Sequence, residues 1–162
     1  LALLAPRRFG ADDNKDDEEV KRPCPMLVPI VAEIDPEYKE ADRVDALKKY
    51  KVTTRVENYI ACELSKGKYK ALKPFKMNVQ ITDFRVRSGA STFWVGGMAG
   101  ADQLGLRIAV QPDGESEYAF RKTTSFVGSG FEVGPPQRIN KMAKALAGQI
   151  AKQMAKEGFI KR

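Results

Sequence analysis

Phe75, Met77, Val79 and Ile81 alternate with Lys76, Asn78, Gln80 and Thr82. A period of two sends successive side chains to opposite faces, so this run predicts a strand buried on one side only. After Asp83 the phase slips, because Phe84 and Val86 take even positions, and a bulge near Thr82 and Asp83 accounts for it. Leu104, Leu106, Ile108 and Val110 form a second alternating run that ends at the turn Pro112-Asp113-Gly114. With Tyr118, Phe120 and Phe126 beyond that turn, Leu104 to Phe126 is expected to be a hairpin. Upstream, Met26 to Ile34 (MLVPIVAEI) is short, apolar and rich in β-branched residues, as a strand should be. Pro29 lacks an amide hydrogen and assigns that strand to a sheet edge or an irregularity.

Spacings of three and four mark the helices. Between Ala41 and Lys66 the positions Val52, Val56, Tyr59, Ile60 and Leu64, with Leu47 a turn earlier, predict one amphipathic helix, stopped by a left-handed Gly67. Ile139, Met142, Ala143, Leu146, Ile150 and Met154 form the stripe of a final helix closed by Gly158. Its Lys141, Lys144, Lys152 and Lys156 lie off the stripe, where lysines ordinarily form a solvated face.

Two stretches follow neither period. Residues 7–25, RRFGADDNKDDEEVKRPCP, are charged and poor in apolar side chains, and bury too little surface to offset ordering entropy. Residues 1–25 are therefore expected to be an extended or disordered arm, and 26–162 a single domain. Leu1 to Ala5 is read either as the end of a signal-peptide apolar region or as an apolar anchor. The second stretch, 89–105, is glycine-dense yet carries Phe93, Trp94, Val95 and Met98, a concentrated apolar patch of the sort that needs a partner.

Charge sharpens this division. Residues 1–65 hold 11 basic and 14 acidic side chains, a net −3, whereas residues 66–162 hold 17 and 7, a net +10. Such an excess either serves as a solvated surface or attracts phosphates, anionic lipid or an acidic protein. Lys66, Lys68, Lys70, Lys73 and Lys76 interleave with Tyr69 and Phe75, the pattern of a nucleic-acid contact with phosphate-binding and stacking groups.

The chain has no histidine, which removes the usual base near neutral pH and every Ser-His-Asp or Cys-His arrangement. Cys24 and Cys62 are too far apart in sequence for a CxxC ligand pair; they form either one disulfide or two buried thiols. No lysine follows the glycines of GGMAGADQLG as a phosphate loop requires, and GxGxxG is absent. No cofactor or metal is expected. Asp83 and Asp102 flank the glycine-dense connection and would suit a carboxylate mechanism if their strands brought them together.

The order of these parts resembles that of a known group. KPFKMNVQITDFRVRSG, then FWVGGMAGAD, then LGLRIAVQPDGESEYAF and an Ala-rich helix are similar to bacterial envelope lipoprotein-like domains of unknown function. Those domains are similar in fold to the amino-terminal domain of TolB, the curli-secretion lipoprotein and the activators of penicillin-binding proteins. The layout extends over about 28–154, and the motif-like part is 81–114. The resemblance implies a non-enzymatic protein of the periplasm or outer membrane, working through contacts with other envelope proteins or copies of itself. No lipobox cysteine stands near Leu1.

The fold expected is α+β: a mixed, largely antiparallel sheet of about four strands with two helices on one face, plus the amino-terminal arm. The function expected is that of an envelope structural or assembly component, with Phe93, Trp94, Val95, Met98 and the arm contacting neighbouring subunits. The alternative is a nucleic-acid-binding module using Lys66 to Lys76, and a third reading is an enzyme using Asp83 and Asp102.

Overall fold

A computed structural model of the chain describes residues 24–87, 101–126 and 134–162. Phe93, Trp94, Val95 and Met98, and all of the arm before Cys24, lie outside the described residues. The order of elements is β1 (Ile30–Ile34), α1 (Ala41–Lys49), α2 (Val52–Lys66), β2 (Lys70–Ala71), β3 (Phe75–Arg85), β4 (Asp102–Pro112), β5 (Tyr118–Phe126), α3 (Pro135–Lys156) and β6 (Ile160–Lys161).

The main sheet has the order β1-β3-β4-β5. The β1–β3 pair is parallel, and β3–β4 and β4–β5 are antiparallel, so the α+β class with a mixed, largely antiparallel sheet is what the chain forms. β1 lies at an edge, one of the two placements that Pro29 allows, and Pro29 just before it donates nothing, but its carbonyl accepts from the Met77 amide at 2.9 Å. The register slips between Ile81 and Asp83, the bulge that the phase change announced.

One apolar core runs through the described residues. Met77, Val79 and Ile81 of β3 and Leu104, Leu106, Ile108 and Val110 of β4 are buried together with Val56, Ile60 and Leu64 of α2 and Ile139, Met142, Leu146, Ile150 and Met154 of α3. α2 and α3 pack on each other, α2 reaching β1 and α3 reaching β5 and β4. Glu57 of α2 also accepts the Ala32 amide at 2.7 Å, satisfying one backbone donor that the exposed edge of β1 would otherwise leave open.

Among the described residues three helices are present where two were expected, because the stretch Ala41 to Lys66 is broken at Tyr50 and Lys51. Leu47 and Val52 explain the break. Both are fully buried, yet five residues of continuous helix would turn them about 140° apart, off a common face. Lys51 adopts φ 50°, which restarts the helix in a new phase. Arg55 holds the junction: its Nε donates to the Tyr50 carbonyl at 2.7 Å and its Nη1 to Asn140 Oδ1 of α3 at 3.0 Å.

The end of α2 also differs from expectation. Gly67 has φ −72°, and the left-handed residue is Lys68 at φ 57°. Glycine is needed at 67 for space, since a Cβ there would lie 2.5 Å from the Glu63 carbonyl oxygen and 2.6 Å from the Tyr69 ring. At the end of α3, Gly158 closes the helix as expected and does so in the left-handed conformation, with φ 79°.

Candidate functional site

The long connection between β3 and β4 leaves the sheet at Val86 and returns at Ala101, and its two stems are locked together inside the protein. Asp102 is fully buried and is shared by two arginines. Its Oδ1 accepts from the backbone amide of Arg87 at 2.8 Å and from Arg87 Nε at 3.2 Å. Its Oδ2 accepts from Arg138 Nη1 at 2.8 Å, and Arg138 Nη2 donates to the Arg87 carbonyl at 2.6 Å. One carboxylate thus joins the last described residue before the connection, the first residue of β4 and the first turn of α3. Arg138 Nε, also buried, has no hydrogen-bond partner among the described residues.

Local sequence sets up this lock. Asp102 is in phase with Leu104 and Leu106, and therefore points to the core face of β4. Pro135 and Pro136 fix the first turn of α3, and Gln137 Oε1 accepts the Gly134 amide at 2.8 Å, so Arg138 is delivered on a rigid turn. Sequence reasoning noticed Asp102 but missed both arginines. A signal for Arg138 existed: it stands four residues before Met142, on the buried stripe.

Asp83 and Asp102 are not brought together. Asp83 lies across from Gly105, which is out of phase with Asp102, so the two carboxylates belong to opposite faces of the sheet. Asp83 lies 3.8 Å from Arg43 Nη1. The pKa of Arg43 is raised by a hydrogen bond with Tyr38 and by the charges of Glu40 and Asp83, with burial opposing.

Cys24 and Cys62 form a disulfide, with Cα atoms 5.0 Å apart. It pins the residue where the arm ends to the last turns of α2, and the Cys24 amide adds a hydrogen bond to Asn58 Oδ1 at 3.2 Å. Among the described residues no helix is long and apolar enough to cross a membrane, and no group of histidine, cysteine or acidic side chains could hold a metal ion.

The five lysines of the basic segment separate. Lys73 is paired with Glu115 at 2.8 Å and lies over the Phe159 ring. Lys76 points from β3 to the sheet face away from the core, beside Asn78, Ala109 and Gln111. Lys66, Lys68 and Lys70 stay exposed at the end of α2 and on β2. Antiparallel pairing of β2 with β6 sets Lys70 opposite Lys161 and adds Arg162 to the group. The interleaved aromatics are used internally: Phe75 is buried edge-on against Phe159, and Tyr69 packs on the core beneath Arg162. Comparison of the chain with known protein families and with curated proteins finds no match.

Proposed function

We propose that this protein is a non-enzymatic component of the bacterial cell envelope that acts by binding other proteins or copies of itself through the β3–β4 connection. The observation that carries this reading is the buried Arg87–Asp102–Arg138 lock, which joins the two ends of a connection whose sequence holds Phe93, Trp94, Val95 and Met98. Connections longer than about 12–15 residues are uncommon unless they have a function or lack order. This one carries the apolar patch, and its stems are fixed by the buried Arg87–Asp102–Arg138 group.

Other observations support the reading. A disulfide suits an oxidising compartment such as the periplasm. Asp83 and Asp102 face apart, which favours a contact protein over a carboxylate enzyme. Burial of Phe75 and the cover over Tyr69 leave the basic segment without stacking rings, which favours protein contacts over nucleic acid. The experiment is the native mass, by light scattering, of the wild type and of the double variant Phe93→Ser, Trp94→Ser. An assembly in the wild type and a folded monomer in the variant are expected. A monomeric wild type, or a variant that assembles normally, overturns the proposal.

A further inference from the structure

The strongest unassigned surface is the β2–β6 ribbon. Its outward face is basic and aliphatic at once: Lys70 and Leu72 share one side of the strand, Lys161 lies across from Lys70, and Lys68 and Arg162 flank them. Ala71 and Ile160 point inward and anchor the ribbon to the core. Leu72 is 49% exposed, and Leu27 and Met26, at 37% and 48%, are also uncovered. A groove of about 360 Å³ runs between residues 27–29 and 71–75, so Leu27 and Leu72 face the same space. Within the adjoining elements the acidic groups are few. Glu115 is taken by Lys73, Glu157 accepts from Gln153 at 3.1 Å, and Glu63 is half-buried on α2.

We infer that this surface is the docking site of the chain's own acidic block, residues 12–19, bound within the same molecule. The sequence DDNKDDEE holds six carboxylates and one lysine, opposite in sign to the ribbon. Tethering makes the match effective. Cys24 is bound to Cys62, one turn before Lys66, and Leu27 of the groove is only three residues further along the chain. Glu19 precedes Cys24 by five residues, a reach of up to about 17 Å, and Asp12 by twelve, a reach of up to about 41 Å. The block can therefore lie along the ribbon without leaving its own molecule. A short tether also gives an effective concentration on the order of millimolar, far above that of an untethered competitor. This inference does not depend on the proposed role of the β3–β4 connection.

Zero-length carbodiimide coupling of the full chain, in an equal mixture of ¹⁴N- and ¹⁵N-labelled protein, tests it. Coupled peptides joining residues 12–19 to Lys68, Lys70 or Lys161 of the same isotope are expected. Their yield should fall several-fold at 0.5 M salt, roughly the range in which surface charges are screened beyond a few ångströms. Neutralising the block (Asp16→Asn, Asp17→Asn, Glu18→Gln, Glu19→Gln) should increase binding to phosphatidylglycerol vesicles several-fold, because the ribbon is uncovered. Mixed-isotope products making up half of the total, as coupling between molecules would give, equal coupling to Lys141 and Lys152, or no coupling overturns the inference. So does vesicle binding that is strong in the wild type and unchanged by neutralisation, which would assign the ribbon to lipid instead.

Discussion

Asp102 shows how far a residue's role depends on its neighbours. In the sequence it is an acid beside a glycine-dense stretch and a candidate for carboxylate chemistry. In the fold both of its oxygens are occupied by Arg87 and Arg138. Removing one member of a buried charge group leaves the others uncompensated, at a cost of roughly 3–5 kcal/mol. Asp102→Asn should therefore lower unfolding free energy by about that amount in urea titration, and a change under about 1 kcal/mol would contradict the lock. Gly67 and Lys51 make a second pair. Gly67→Ala forces a Cβ onto the Glu63 carbonyl and should cost at least about 1 kcal/mol. Lys51→Gly relieves a left-handed backbone, and its effect should be stabilising and within about 1 kcal/mol. Equal effects from the two substitutions would mean that the turns are not built as described.

At the scale of elements, strands were legible because a half-buried strand writes its face into every second residue, and even the bulge left a trace in the phase of Phe84 and Val86. The helix break was less visible. It is encoded in one spacing, Leu47 to Val52, which makes sense only when both side chains are known to enter the same core. The disulfide acts at this scale as well, tying the start of the described chain to α2 across 38 residues of sequence. Cross-links that close loops of this size contribute roughly 2–4 kcal/mol, chiefly by restricting the unfolded chain. The double variant Cys24→Ser, Cys62→Ser should lose about that much stability, measured by thermal unfolding with and without reductant. Reductant should lower the wild-type midpoint and leave the variant's unchanged.

For the molecule as a whole, the sheet separates two surfaces. The basic ribbon lies by the start of β3 and the locked stems lie at its far end, about 33 Å away for a strand of eleven residues. Loss of assembly in Phe93→Ser, Trp94→Ser with coupling of the acidic block unchanged would show that the two ends act independently. The α+β class, the β3 bulge, the β4–β5 hairpin and the stripe of α3 are legible in the sequence, and Pro29 narrows the place of β1 to an edge or an irregularity. Those are local properties, written in hydrophobic period, proline chemistry and turn residues. Tertiary structure alone decided that Asp102 joins Arg87 and Arg138, that Asp83 faces the other way, that Cys24 and Cys62 are bonded, and that Lys161 and Arg162 complete the cluster begun by Lys66, Lys68 and Lys70. Each of those depends on which distant segments the chain brings side by side, and hydrophobic period carries no information about that.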